Sequence, residues 1–596
     1  VQVVREFDID LRDYFHKDIA NFIAKKISTK ITNKVDKKLK RTLGRVVRDV
    51  LDEPIHSFID SVPGQLIRQL LQQLLAPTAE YMLFAKLSVK EVRYASVDSK
   101  GQAGAVLSGL VIIPTGNVGS PNMPVMGYQH GSTIARKNAP SYFDPENPFL
   151  SSMEVIIAML LASLNGYIIT MADYQGLGHD EANVQPYMGA RPLAHAVLDL
   201  LLDTLQYVDR SRNIWWNQQI FLLGYSQGGY VTLAAAREIQ ENKTYQHFLP
   251  YLKAVAPCAG PYALSSVMRY MILREELYPF GAFLIMTIRG YDAMFGQDLQ
   301  GIFTKEKAIK PAYWHIWDLA DGSISMFEIN ALLPKIPRDM LTDALIQQLS
   351  TEGSDVYQVL KENDVLDWKP SMPIQFYQSP RDGLVPFENM MEADRAFKQQ
   401  GVQVGMVPMF FIPMGSSVPM PMANRTHVEA AIPCLLGGYA WFSPFRFQQV
   451  NGVLETGNFM LYGQSLKSEN GEYCLNYQLD GNLALYRKTD GVLLWQAGIV
   501  ASRAKPLTSV CLVPNAAQQA LTAYPIHAVD NPVPNPGICI IQEEDGDFVV
   551  YDNQGHPLWE SGTYAIPDRL IVGNDGIMVI QDCDGETIWQ VPRNAG

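Results

Sequence analysis

Histidine, cysteine and long apolar runs are scarce in this chain. Only ten histidines and six cysteines occur among 596 residues. No Cys/His spacing resembles a zinc site, so no metal is expected. No glycine-rich phosphate loop is present either, and no cofactor is expected. No apolar run is long enough to cross a bilayer as a helix. Basic residues are outnumbered, giving a net charge of −13. The one basic run, Lys17 to Arg48, is isolated and has little aromatic interleaving, which argues against nucleic acid as a partner. The sequence starts at Val1 with neither an initiator Met nor a signal-like apolar segment. An export signal already removed is compatible with that start but not required by it.

What is plentiful is apolar surface. A hydrophobic content of 47% and a mean hydropathy near zero describe a soluble globular protein with a large core. The length exceeds one ordinary domain, so several parts are expected.

The most informative stretch is Phe221-Leu222-Leu223-Gly224-Tyr225-Ser226-Gln227-Gly228-Gly229. An apolar strand runs into Gly-x-Ser-x-Gly and then a helix, which is the nucleophile elbow of an α/β-hydrolase. The tight turn lifts the serine Oγ clear of the sheet, and Gly224 and Gly228 remove side chains that would collide there. Ser226 is therefore the candidate nucleophile. Its base must come later in the chain, after an acid. Between Ser226 and the C-terminal part the histidines are His247, His315 and His427. Only His427 follows the last expected strand, Val407 to Pro413, and it is placed on a loop before a helix. His247 and His315 are read as surface or lid residues. The acid is Asp382, in the loop after the strand Pro373 to Tyr377 and before a helix from Phe387 to Gln399. For the oxyanion, the N–H of Gln227 is one donor. The loop Gln129-His130-Gly131-Ser132 supplies the other, Ser132, with Gly131 as the near alternative. His130 is expected to hold that loop rather than transfer protons.

Strands are further expected at Gly166 to Ala172, Gln219 to Leu223, Lys253 to Pro257 and Pro408 to Ile412, with helices at Leu193 to Val208 and Gln227 to Gln240. This alternation predicts a mostly parallel sheet. The segment 262–369 breaks the rhythm and is rich in apolar and aromatic residues, as a lid over the site would be. From about Leu87 to Phe445 the chain resembles the secretory lipase family of α/β-hydrolases, the lipase A-like group. The matching pieces are Gln129-His130-Gly131-Ser132, Ala172-Asp173-Tyr174-Gln175-Gly176-Leu177-Gly178, Gly224-Tyr225-Ser226-Gln227-Gly228, and Asp382 with Val385-Pro386 before His427. The resemblance implies an esterase or lipase acting on an ester or lipid substrate, with a cap in the place of the insertion.

Two flanking parts differ in character. In residues 1–80, apolar residues recur every fourth position from Ile19 to Leu43. Such a stripe advances about 400° per step and drifts around a straight helix. This basic arm is read either as a helix packed on the hydrolase, which is preferred, or as a peripheral contact with an anionic membrane. The hydrolase itself is assigned residues 81–448. Residues 449–596 are strand-rich and repeat. Gln478, Asp480, Asn482 and Tyr486 alternate along one strand, closed by Trp495. Glu543, Asp545, Asp547 and Tyr551 repeat the pattern before Trp559, and a degenerate third unit ends at Trp589. Period two puts the polar members on one face, where they can meet sugar hydroxyls.

From Asn451 to Gln590 this part resembles the bulb-type mannose-binding lectins, which implies a β-prism and mannose-type glycans as ligands. Only the first unit keeps the pattern, with Ala484 where the family has Val. Cys474, Cys511, Cys539 and Cys583 fall in this part, which permits disulfides and suits a secreted or cell-surface protein. The full reading is an α/β fold with a helical arm, a lid and an all-β C-terminal domain, working as a serine ester hydrolase. A serine peptidase or acyltransferase on the same fold is the alternative. A carbohydrate-binding protein with a spent hydrolase part is a third reading, opposed by the complete set of Ser, Asp and His.

Overall fold

The computed structural model describes residues 2–11, 86–115, 122–145, 152–211, 214–409, 422–446, 452–456, 459–461, 465–478, 481–499, 536–541, 547–552, 557–563 and 567–591. Nine strands form one sheet: β1 (Gln2–Asp10), β2 (Lys86–Val97), β3 (Ala103–Pro114), β4 (Asn122–Gln129), β5 (Ile168–Ala172), β6 (Trp215–Tyr225), β7 (Leu252–Cys258), β8 (Gln375–Gln378) and β9 (Gly405–Pro408). Their spatial order is β1-β2-β3-β5-β4-β6-β7-β8-β9. From β5 to β9 all neighbours run parallel, while β1, β2, β3 and β5 pair antiparallel.

The parallel strands are buried on both faces, so they read as continuous apolar runs instead of alternating ones. On one face lie α2 (Ala190–Arg210) and α3 (Gln227–Glu241), packing Leu193, Leu200, Val231 and Ala235 against Ile220 and Leu222. On the other lie α1 (Met153–Asn165) and α6 (Met422–Trp441), packing Val155, Met159, Ala430 and Leu435 against Phe221 and Leu223. Helix α1 shows why its ends fall where they do. The Ser152 side chain accepts from the Val155 N–H, and Gly166 closes the helix at φ 71°, where a side chain would be strained. Between β7 and β8 the chain forms an irregular helical insertion that includes α4 (Ala282–Phe295), and α5 (Glu388–Gln399) follows β8.

Three expectations need correction. Gln2–Asp10, assigned to a helical arm, is instead an edge strand paired with β2 over most of its length. Arg5 and Glu91, and Lys90 and Glu6, form ion pairs across that edge, so the strand is held by charge as well as by the ladder. The rest of the arm, including the basic run, lies outside the described residues. The last described strand starts earlier than expected, at Gly405, and pairs with β8 through Pro408; residues 410–413 of the expected strand lie outside the described residues. His427 lies within α6, not on a loop ahead of it.

The C-terminal part forms three four-stranded antiparallel sheets. Ser465–Lys467, Tyr473–Tyr477, Leu483–Arg487 and Leu493–Gln496 make the first. Phe459–Leu461, Pro536–Ile541, Phe548–Asp552 and Pro557–Glu560 make the second. Val453–Glu455, Pro567–Val572, Met578–Asp582 and Thr587–Val591 make the third. Each repeat unit therefore builds one sheet, with its outermost strand drawn from 453–467. The three closing tryptophans meet edge-on, with centroids 5.5 Å (Trp495–Trp559), 6.0 Å (Trp495–Trp589) and 6.1 Å (Trp559–Trp589) apart. Cys474 and Cys583 are free thiols, and Cys511 lies outside the described residues.

Candidate active site

Strand β6 delivers Ser226 to the start of α3 at φ 60°, ψ −123°, a conformation that non-glycine residues rarely adopt. The turn survives because its neighbours are glycine. A Cβ on Gly228 would overlap the Gln129 carbonyl, one on Gly224 the Gly228 carbonyl, and one on Gly229 the Cys258 carbonyl. The Ser226 N–H donates to Cys258 O at 2.9 Å, pinning the turn to β7.

The three residues singled out from the sequence come together here. His427 Nε2 is 2.9 Å from Ser226 Oγ, and His427 Nδ1 is 2.6 Å from Asp382 Oδ2. The other Asp382 oxygen accepts the N–H groups of Leu384 and Val385, both at 2.9 Å, so the carboxylate cannot turn away. The Tyr225 hydroxyl donates to the His427 carbonyl at 2.5 Å, fixing the helix turn that carries the imidazole. All three groups sit at the carboxyl ends of β6, β8 and β9, although the last reaches the site from α6. His247 and His315 take no part: His247 stacks at 4.0 Å on Phe248, beyond the far end of α3, and His315 lies in the insertion.

Two backbone donors face the nucleophile's surroundings. Gln227 opens α3, so its N–H has no partner within the helix. The loop after β4 holds the two candidates for the second, and their hydrogen bonds differ. Gly131 already donates its N–H to both oxygens of Glu154, at 3.0 Å each. That removes Gly131 as a free donor. The Ser132 N–H has no acceptor among the described residues, and its Oγ lies 2.7 Å from the Tyr187 hydroxyl.

The loop is braced from behind. His130 stacks on Tyr174 at 4.2 Å, and its Nδ1 is 2.8 Å from Gly131 O. Burial pushes the His130 imidazole down to about 4, so it is neutral at pH 7. Tyr174 also donates from its hydroxyl to His130 O at 3.1 Å. Asp173 accepts from Ser108 Oγ at 2.5 Å and from Ser141 N at 2.9 Å. A Cβ at Gly178, where φ is 58°, would strike that carboxylate. The Asp-Tyr-x-Gly-Leu-Gly segment thus supports the oxyanion loop.

A cleft with about 710 Å³ of empty space, partly open to solvent, runs from Ser226 and Gln227 under the insertion. Met268, Met271, Ile272, Phe283 and Leu284 from the insertion line it, as does buried Tyr187, its ring stacked 6.4 Å from Phe283. Glu154 and Tyr187 were not anticipated. Neither belongs to a motif, and Glu154 meets Gly131 only because α1 packs beside β4. No group of acidic, histidine or cysteine side chains among the described residues could hold a metal ion.

In the C-terminal part the sugar candidates fare unevenly. Gln478 Nε2 donates to the Tyr486 hydroxyl at 2.8 Å, and Asp480 lies outside the described residues. Asn482 is buried: its Oδ1 accepts from Ile499 N at 3.1 Å and its Nδ2 donates to Gln496 Oε1 at 3.2 Å. Asp547, at the same place in the second unit, accepts from Gly562 N at 2.8 Å and Thr563 N at 3.2 Å. This position therefore staples the chain beyond Trp495 and Trp559.

The sequence profile of the secretory lipase family matches residues 148–255. No curated protein matches the chain. Among solved structures, a candidate hydrolase from Legionella pneumophila superposes with a TM-score of 0.52 at 23% identity, over 61% of this chain and 90% of that one. The rice cell wall degrading esterase LipA from Xanthomonas oryzae aligns with a TM-score of 0.49 at 22% identity, over 61% and 93%. Candida antarctica lipase A aligns with a TM-score of 0.45 at 16% identity, over 55% and 73%.

Proposed function

We propose that this protein is a serine hydrolase that cleaves carboxylic esters of apolar acyl groups through an acyl-enzyme. The profile match over residues 148–255 supports ester hydrolysis as the class. The observation that carries the mechanism is the Ser226–His427–Asp382 chain of contacts, at 2.9 and 2.6 Å, opening on an apolar cleft. Ser226 Oγ attacks the ester carbonyl while His427 Nε2 takes its proton. Asp382 keeps Nδ1 protonated and stabilises the imidazolium. The N–H groups of Gln227 and Ser132 stabilise the developing oxyanion. His427 then protonates the departing alkoxide, and the same base activates water to free the acid.

The apolar walls of the cleft favour an acyl chain over a charged peptide, which ranks esterase or lipase above the peptidase and acyltransferase alternatives. The insertion 262–369 serves as the lid. Residues 449–596 form a separate carbohydrate-binding unit of the β-prism type, whose one candidate site holds Gln478, Asp480 and Tyr486. Three sheets sharing a centre of Trp495, Trp559 and Trp589 support that architecture. Secretion or cell-surface exposure, where glycans are met, is the matching location.

The test is a panel of p-nitrophenyl esters of rising chain length set against aminoacyl-anilides. Wild-type protein should cleave the esters only, and Ser226→Ala should lose about three or more orders of magnitude in kcat/KM. Ester turnover that survives Ser226→Ala, or preferred cleavage of the anilides, would overturn the reading.

A further inference from the structure

A second cavity, with about 350 Å³ of empty space and partly open to solvent, shares Tyr187 with the acyl cleft. Its lining is about half polar, where that of the first is mostly apolar. Arg136, Arg289, Gln185 and Asp321 line it, each from a different segment of the chain.

Among the described residues neither arginine is in ion-pair contact with a carboxylate, although Asp321 attracts both. Arg289 donates one terminal N–H to the Trp317 carbonyl and lies 5.4 Å from that indole ring, leaving its buried Nε without a partner. Arg136 likewise has a buried, unpartnered Nε. Asp321 is the nearby carboxylate, but it is exposed and its Oδ1 accepts the Ser323 N–H at 2.8 Å. Burial holds the Arg289 guanidinium below its ordinary value, and the Arg136 charge adds to that effect against the opposing pull of Asp321, Asp318 and Asp292. Gln185 is only 7% exposed, and neither its amide oxygen nor its amide nitrogen has a partner. Leaving such groups unpaired is costly unless something else supplies the bonds.

The pocket is also shaped. The Arg136 N–H donates to Gly322 O at 3.0 Å, and Gly322 has φ 92° with the Arg136 guanidinium lying where a Cβ would point. Any side chain there would displace the cation.

We infer that this cavity is a phosphate-binding site, in which Arg136, Arg289 and the Gln185 amide donate to the oxygens of one phosphate group. Donors arriving from three segments suit a tetrahedral anion with several free oxygens better than a planar carboxylate, and guanidinium forks are well matched to phosphate. The phosphate has two possible sources. It is either the headgroup of an ester bound at Ser226, since Tyr187 lines both cavities, or a free ion acting beside the site. The headgroup case rests on the ester-hydrolase reading; the binding site itself does not.

Calorimetric titration of the full chain with inorganic phosphate tests the site directly. Wild-type protein should bind in the millimolar range or tighter. Arg136→Gln combined with Arg289→Gln, and separately Gln185→Leu, should each weaken binding about tenfold or more. Kinetics on a 1-acylglycerol and its 3-phosphate, with the same acyl chain, then identifies the source. For a headgroup pocket, the double variant raises KM about tenfold for the phosphorylated ester and leaves the neutral ester unchanged. For a free ion, phosphate alters neutral-ester turnover in the wild type and has no effect in the double variant. No phosphate binding by wild type, or equal affinity in wild type and both variants, overturns the site. Failure to hydrolyse either ester would sink the proposed activity while the titration still decides the pocket.

Discussion

Glu154 is a carboxyl group in a place that disfavours its charge. Burial pushes it up to about 7, against the opposing help of the Gly131 N–H and the Tyr128 hydroxyl. In the unfolded chain the same group titrates near 4.5. Between those values the folded state holds the proton more firmly than the unfolded one. Its contribution to stability is therefore complete below about 4.5 and lost as pH rises through 7. Glu154→Gln keeps an acceptor for Gly131 and cannot ionise. Denaturation curves at pH 5 and pH 8 should show the variant gaining on the wild type by about 3 kcal/mol between the two. An unchanged difference would mean that Glu154 is not raised. Glu154→Ala removes the acceptor as well, and should lower kcat about tenfold through a loosened oxyanion loop, with KM little changed. A change confined to KM would exclude that positioning role. Residues such as Ser226, Asp382 and His427 were legible because their chemistry restricts their order and local spelling. Glu154 was not, because nothing in its own neighbourhood records that it lies beneath Gly131, 23 residues away.

At the scale of elements, strands and helices of the parallel sheet could be read from apolar runs broken by turn residues. The departures have local causes. Strand β9 starts at Gly405, two residues ahead of the apolar run, because Gly405 already pairs with Gln375 of β8. Gln2–Asp10 alternates acidic and apolar residues strictly only from Glu6 to Asp10, a short run, and its ladder partner β2 is distant in sequence. His427 was assigned to a loop, yet α6 carries it on a buried turn held by Tyr225. The insertion was recognisable by its composition, but not by which side chains reach the cleft. Met271 and Ile272 do so from a short helix and its end, with Met268 beside them. Met271→Trp should therefore fill cleft volume without touching Ser226. Hydrolysis of long-chain p-nitrophenyl esters is expected to fall about tenfold, with butyrate cleavage within about twofold of wild type, since one bulky ring forfeits a few methylene contacts. Equal losses on short and long esters would mean that the acyl chain lies elsewhere.

The whole molecule joins two kinds of architecture with different sources of stability. The hydrolase core is a continuous sheet covered on both faces, whereas the C-terminal sheets converge on three tryptophan rings and a small apolar cluster. The join is specific: Asn122 donates to Thr456 O at 3.1 Å, and Arg446 lies 4.6 Å from the Tyr167 ring and 5.1 Å from that of Phe459. Because each tryptophan contacts the other two, removing one disturbs all three sheets at once. Trp559 is only partly buried, so Trp559→Ala should cost about 2–3 kcal/mol, less than the loss of a fully buried ring. The cost should fall on the C-terminal part alone, since Ser226, His427 and Asp382 draw no contact from it among the described residues. Differential scanning calorimetry should then show the C-terminal transition shifted down by several degrees, with hydrolysis of a short soluble ester unaltered. At the proposed glycan site, mannose-type binding should fall in the same variant, because Tyr486 and its partner Gln478 belong to the sheet whose last strand carries Trp495, in contact with Trp559. Asp480→Ala separates binding from folding: it should abolish glycan binding while leaving both thermal transitions in place. Glycan binding that persists in Asp480→Ala would remove the first repeat unit as the sugar site, and a fall in soluble-ester turnover with Trp559→Ala would show that the two parts act as one catalytic unit.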